Sequence, residues 1–276
     1  MSVSEFDKLF TDGLTYERLM GRWSRLIAEP FLDWLDAPKN LSWLDVGCGN
    51  GAFTEELIAR CVPAAVTAID PSDDQIPYAR TRPGASMADF CVGDAQKLPF
   101  GDNSFDIAAM ALVISFLANP ARAVAEMTRV VRPIGWVATY MWDTLGGGSP
   151  VHPIYLAMES MGMTSVRPPN PGASGQDAME ALWKNAGLES VETRIIRIST
   201  VYSGFDDFWT SNTVPIGPQG KIIAGMSAGV REELRTRVCD NLPASPDGRI
   251  VYEACANSVK GRVAVQRIAA RPAECP

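Results

Sequence analysis

The stretch Leu44-Asp45-Val46-Gly47-Cys48-Gly49-Asn50-Gly51 reads as a short apolar strand that runs into a glycine turn and opens a helix at Ala52. Such a turn needs glycine because its dihedrals exclude a Cβ and because a side chain would hold a ligand away from the backbone. By itself this pattern describes any tight strand-to-helix connection, so the neighbouring sequence has to show whether a ligand is bound. About twenty residues on, a second apolar run, Val66 to Ile69, ends in Asp70, placed where a carboxylate accepts hydrogen bonds from both hydroxyls of a ribose. A third run leads into Val92-Gly93-Asp94-Ala95-Gln96-Lys97-Leu98-Pro99-Phe100, which brings another acid to the end of the next strand, suited to accept the amino group of an adenine.

The first two features are shared with dinucleotide-binding domains, and spacing separates the readings. The pattern is D-x-G-x-G-x-G rather than G-x-G-x-x-G, whose third glycine lets the helix pack close and receive a pyrophosphate. Ala52 keeps the G-x-G-x-x-A variant formally open. Asp94 decides for a nucleoside-bearing ligand without a pyrophosphate.

Outward from this core, short apolar runs alternate with helical segments, the signature of a parallel sheet built from strand–helix–strand units. The expected strands are Ser42 to Val46, Ala65 to Ile69, Asp89 to Val92, Phe105 to Leu112 and Gly135 to Trp142, with helices at Ala52 to Arg60, Ser72 to Arg80 and Pro120 to Val131. Upstream, apolar residues at helical spacing from Thr15 to Leu35 predict an amphipathic helix, or two joined near Pro30. Downstream, Gln176 to Ala186 reads as a helix closed by Gly187, and Glu189 to Tyr202 and Ile250 to Lys260 read as strands. Between these strands, Ser203 to Gly248 should hold short helices at FDDFW and SAGVREELRTRV, and a connection this long is usually a lid or binding loop. Leu145 to Pro153 and Arg167 to Gly175 read as loops. The expected organisation is a helical cap over residues 1–40 and one α/β domain over 41–276, with 203–248 as a substrate-side insertion.

The chain has 276 residues, is 46% hydrophobic and carries a formal charge of −7, which favours a folded α/β domain and argues against a polyanionic partner such as nucleic acid. The longest apolar stretch, Ile107 to Ala118, is interrupted by Ser115 and falls short of the roughly 20 residues of a membrane span. The first residues lack a basic start followed by an apolar core, so a cytoplasmic location is expected. Six scattered cysteines without a CxxC pair predict reduced, mostly buried thiols and no metal site.

Taken together, Asp45, the glycine turn, Asp70, the GDAQKLPF segment, and FDIAAMALVISFL followed by NPARAVAEMTRVVRP resemble a class I S-adenosylmethionine-dependent methyltransferase, with greatest likeness to the bacterial group of ubiquinone/menaquinone C-methyltransferases. The resemblance covers roughly Leu41 to Trp142, and Tyr16 to Ser24 is similar to the N-terminal helix of many bacterial members. It implies a Rossmann-like, seven-stranded, mostly parallel sheet sandwiched by helices, with S-adenosylmethionine as cofactor and S-adenosylhomocysteine as product. By the same likeness, Gly47, Gly49 and Gly51 form the turn that lines the methionine moiety, with Asp45 orienting the turn or meeting the cofactor's ammonium rather than moving a proton. Asp70 and Pro71 hold the ribose, Asp94 and Ala95 read the adenine, Ala111 lies beside the cofactor, and Tyr16 and Arg22 meet the methionine carboxylate. The chain departs from the quinone-type members at Ile114-Ser115-Phe116, where they carry a His-containing segment, and at Pro133-Ile134-Gly135, where they carry Pro-Gly-Gly.

Methyl transfer from a sulfonium depends chiefly on holding nucleophile and methyl group in line, so a general base is optional. The single histidine, His152, is the candidate if one is used, with a loop position as its ordinary reading. The acceptor is expected to be a small molecule, apolar or aromatic, bound among Trp23, Ser115, Trp142, Tyr202 and Trp209. A protein or RNA methyltransferase and a non-catalytic nucleotide-binding protein are the alternative readings.

Overall fold

Trp43, Leu44 and Val46, buried together with Asp45, make Ser42–Val46 a strand that belongs between two layers. The computed structural model describes residues 22–215, 217–243 and 245–265. In chain order the elements are α1 (Arg22–Leu35), β1 (Ser42–Val46), α2 (Ala52–Cys61), β2 (Ala65–Asp70), α3 (Gln75–Ala79), β3 (Ala88–Val92), β4 (Phe105–Ala111), α4 (Pro120–Val130), β5 (Val131–Trp142), α5 (His152–Ser160), α6 (Gln176–Asn185), β6 (Leu188–Tyr202), α7 (Phe205–Asn212), α8 (Gly217–Gly225), α9 (Ala228–Asn241) and β7 (Ile250–Val263). They build one seven-stranded sheet in the order β3-β2-β1-β4-β5-β7-β6.

The first five strands pair in parallel, and β7 runs antiparallel between β5 and β6. After β1 the chain winds outward to β2 and β3 and then returns to β4 on the other side of β1. That reversal opens a crevice at the carboxyl ends of β1 and β4, where open α/β sheets bind their ligands.

Helix α1 packs on one face of the sheet through Phe31, whose ring lies 4.7 Å from Tyr140 on β5 and 6.1 Å from Phe53 on α2. Its last turn is fixed by Lys260 on β7, whose Nζ donates to the Trp34 carbonyl at 3.0 Å and sits over the indoles of Trp34 and Trp136. On the opposite face, Trp183 of α6 is fully buried and donates its indole N–H to the Val137 carbonyl at 2.8 Å.

Several sequence expectations shift. Helix α1 continues through Pro30 as one segment, and the part expected from Thr15 to Gly21 lies outside the described residues. The helix expected from Ser72 shortens to Gln75–Ala79, because the Asp70 carboxylate accepts the Ser72 N–H at 2.9 Å and holds Pro71 to Asp74 as a turn. Strand β4 stops at Ala111, since Leu112 turns into the left-handed region at φ 61°. Strand β5 starts four residues early, at Val131, and absorbs a bulge in its pairing with β4. Helix α5 begins at the end of the loop expected from Leu145 to Pro153 and runs on through residues given no element, α8 is a third helix in a segment expected to hold two, and the thiols are less buried than expected, with Cys48 and Cys61 buried, Cys91 and Cys255 intermediate and Cys239 exposed.

Candidate cofactor and acceptor site

The glycine turn is held against β2 before any ligand is considered. Gly47 and Cys48 donate their N–H groups to the Ile69 carbonyl at 2.7 and 3.0 Å, and Gly51 closes the turn on the Cys48 carbonyl at 2.9 Å. Gly47, Gly49 and Gly51 have φ of 77°, 51° and 80°, a region that costs an L-residue roughly 1–2 kcal/mol. A Cβ on Gly47 would also strike Val113 at 2.5 Å, whereas one on Gly49 would meet nothing within 4 Å. Gly47 thus lets β4's exit loop pack close, while Gly49 leaves open space.

That space belongs to a cavity of about 290 Å³, near the lower end of the ~300–1,000 Å³ of small-molecule sites. One wall is the glycine turn with Gly47, Cys48, Gly49, Asn50, Ala52 and Phe53; a second is the β2 exit with Asp70, Pro71, Ser72 and Gln75. A third is Gly93, Asp94, Ala95 and Gln96 after β3, and the fourth is Ala111, Leu112, Val113, Phe116 and Leu117 after β4, with Ser24 of α1 at one edge. The structure therefore brings Gly47, Gly49, Asp70, Pro71, Asp94, Ala95 and Ala111 around one space.

The acids face it differently. Asp70 Oδ2 accepts the Gly49 N–H at 2.8 Å and Oδ1 accepts the Ser72 N–H, so this carboxylate joins two walls; a carboxylate has about four acceptor positions in all. Asp94 is exposed and its Oδ1 takes the Gln96 N–H at 2.8 Å, while its Oδ2 has no partner among the described residues.

Asp45 does not line the cavity. It is fully buried beneath the turn, with Oδ2 accepting from Thr54 Oγ1 at 2.6 Å and Oδ1 unpaired among the described residues. Burial pushes its pKa up to about 7, the Thr54 hydrogen bond opposes this, and the nearby Asp70 charge adds to it. Burial likewise drives the Cys48 thiol well above the usual range, which makes it a poor nucleophile. Gly51 supports the wall from outside, 3.1 Å from the Ala79 Cβ as judged by an added Cβ. Tyr16 lies outside the described residues, as does the side chain of Arg22.

The five aromatic and polar residues expected around the acceptor are not in the cavity wall. Trp23 packs edge-on against Tyr202 at 5.5 Å, and Tyr202 packs on Phe208 at 5.1 Å and accepts from Asn212 Nδ2 at 2.9 Å. Ser115 and Trp142 are buried, and Trp209 is half-buried against Phe205. Large rings at core spacing gain more by packing on one another than by facing an aqueous cavity. His152 is also elsewhere: it opens α5 rather than sitting in a loop, half-buried, with its ring where a Gly147 Cβ would come within 2.8 Å of Nε2. Burial lowers its pKa below the ordinary imidazole value, which favours its neutral form.

Sequence reasoning missed other wall residues. Cys48, Asn50 and Gln96 were signalled by their places inside the two motifs. Ser24, Phe53 and Gln75 had no local signal, because they reach the cavity through the packing of three separate helices.

Comparison with known proteins agrees with this geometry. Residues 44–139 match the family model described as "Methyltransferase domain". This stretch is a class I methyltransferase domain. The ubiquinone/menaquinone biosynthesis C-methyltransferase UbiE of Roseobacter denitrificans is 34% identical over 115 residues, 40% of this chain and 46% of the relative. The demethylmenaquinone methyltransferase of Renibacterium salmoninarum is 33% identical over 154 residues, 55% of this chain and 62% of the relative. The chain thus spans less than two thirds of either relative's length. Among solved structures, Haemonchus contortus Phospholethanolamine N-methyltransferase 2, in complex with phosphomonomethylethanolamine and S-adenosylhomocysteine, superimposes with a TM-score of 0.58 at 15% identity, covering 96% of this chain and 61% of that one. This last likeness is one of fold. Among the described residues, no helix is long and apolar enough to cross a membrane.

Proposed function

We propose that the protein transfers a methyl group from S-adenosylmethionine to a small apolar or aromatic acceptor. The observation that carries this reading is the convergence of three strand ends on one cavity, with glycine backbone on one wall and the carboxylates of Asp70 and Asp94 on the next two. The residues present fit the cofactor. Asp70 is set to receive the ribose hydroxyls beside the Gly49 amide it already binds, and Asp94 offers Oδ2 to the exocyclic amine of adenine. Phe116, Leu117 and Val113 supply an apolar surface for the planar base, and the open space at Gly49 receives the methionine part. When bound, the cofactor supplies an activated methyl on a sulfonium that is its own leaving group. What remains for the chain is to orient and to exclude water, and Phe53, Leu112 and Val113 line the cavity with apolar groups suited to both tasks. The apolar lining and the names of the two relatives, one for ubiquinone/menaquinone biosynthesis and one for demethylmenaquinone methylation, support an apolar acceptor.

Isothermal titration against S-adenosylmethionine, S-adenosylhomocysteine and NAD tests the cofactor. Saturable binding of the first two and none of NAD is expected; the reverse preference would overturn the reading. A screen of aromatic and apolar metabolites with a labelled methyl donor then tests the acceptor class, and label transfer confined to protein or RNA would refute it.

A further inference from the structure

Gln96 lies in the cavity wall, and every polar group it carries is engaged. Its backbone N–H donates to Asp94 Oδ1 at 2.8 Å and its side-chain Nε2 donates to the same oxygen at 3.2 Å. Its Oε1 accepts the Asn119 N–H at 2.9 Å, and its carbonyl accepts from Arg122 Nε at 2.8 Å. Asn119 is the N-cap of α4, its Oδ1 accepting the Arg122 N–H at 3.0 Å, so both outer contacts of Gln96 are to the first turn of that helix.

The orientation of the amide follows from this arrangement. The Asn119 N–H can be accepted by the amide oxygen and not by its nitrogen, so Nε2 is turned toward Asp94. With two donors on Oδ1, the Asp94 carboxylate is held in one rotamer, and Oδ2 has no partner among the described residues. Asp94 is exposed and would otherwise rotate freely, averaging its acceptor direction over the solvent side.

We infer that Gln96 is a positioning residue for base selectivity: tied to the first turn of α4, it aims Asp94 Oδ2 so that the site accepts a purine with an amino group at C6 and rejects one with an oxygen there. The inference rests on the reading of Asp94 as the group that meets adenine. Selectivity arises because a 6-oxo group would present an acceptor to a fixed carboxylate oxygen, leaving both unpaired, whereas a carboxylate free to rotate avoids the conflict.

The test is the ratio of dissociation constants for S-adenosylhomocysteine and its hypoxanthine analogue, S-inosylhomocysteine, measured by titration calorimetry on wild type, Gln96→Ala and Gln96→Glu. Wild type should prefer the adenine ligand, and both variants should narrow that preference about tenfold. Gln96→Glu keeps an oxygen for Asn119 and puts an acceptor against Asp94, so it tests aim even if the alanine variant folds poorly. Equal weakening of both ligands with an unchanged ratio would mean a purely structural role and would overturn the proposal. Asp94→Ala separates the underlying reading: if it leaves the wild-type ratio intact, Asp94 does not read the base and the inference about Gln96 falls with it.

Discussion

Asp45 on β1 and Asp70 at the end of β2 stand close enough for the charge of one to raise the pKa of the other, yet their settings give them opposite work. Asp70 stands at the cavity wall with an amide on each oxygen. On the proposed ribose contact, replacing it by alanine removes charge-assisted hydrogen bonds worth about 1.5–3 kcal/mol, so S-adenosylmethionine affinity should fall roughly 10- to 150-fold by calorimetry. An unchanged dissociation constant would refute the ribose assignment. Asp45, buried and raised to about 7, belongs to stability. Its folded pKa lies above the unfolded value of 3.8, so the stabilisation it contributes is fully present below about pH 4 and is lost as pH rises through 7. Asparagine at this position removes the linkage. The stability difference between wild type and Asp45→Asn in urea titrations should therefore move against the wild type between pH 4 and pH 8, by on the order of 4 kcal/mol at 1.36 kcal/mol per pKa unit. A difference that does not vary with pH would show that Asp45 shares its proton elsewhere.

Among the elements, the entry to β5 holds the clearest local conflict. Ile134, a β-branched residue, is 61% exposed and sits at φ 64°, while a Cβ on the following Gly135 would come within 2.4 Å of the Asp106 carbonyl. Glycine at 134 relieves the left-handed strain of about 1–2 kcal/mol against a smaller loss in unfolded-state entropy. Ile134→Gly should accordingly raise the melting temperature by about 2–4 °C per kcal/mol recovered, and a lower melting temperature would show that the isoleucine has a packing role. In the sequence Pro133-Ile134-Gly135 shows only as a departure from Pro-Gly-Gly, and the bulge between β4 and β5 was not legible there, because register depends on both strands. Strands β1, β2 and β3 were legible to within a residue, as apolar runs bounded by glycine, proline and acid define their own ends. The seven cavity-lining residues named from the motifs were legible for the same reason. The start of α5 was hidden because its first two residues close the Gly- and Pro-rich stretch from Leu145 to Pro153. The expected acceptor residues lie outside the wall of this cavity, because aromatic spacing marks a buried face without saying what lies against it.

Over the whole molecule, the described residues divide into a sheet with its cavity and an excursion, residues 203–248, that carries α7, α8 and α9. We expect this excursion to exchange amide hydrogens faster than β1, β4 and β5 and to gain protection when cofactor and acceptor are bound together. Equal exchange with and without both ligands would rule out a role in closing the site. The excursion leaves the sheet after Tyr202 and rejoins it at Ile250, and these two residues are direct partners in the antiparallel pairing of β6 with β7. Its ends therefore meet at a clasp that the sheet maintains whatever lies between them. Doubling the length of a flexible loop closed in this way costs only about 0.6 kcal/mol. The excursion is thus closed like a cassette: the clasp leaves its length free to vary, while the fully buried Phe208, Leu234 and Val238 tie the helices it carries here to the core.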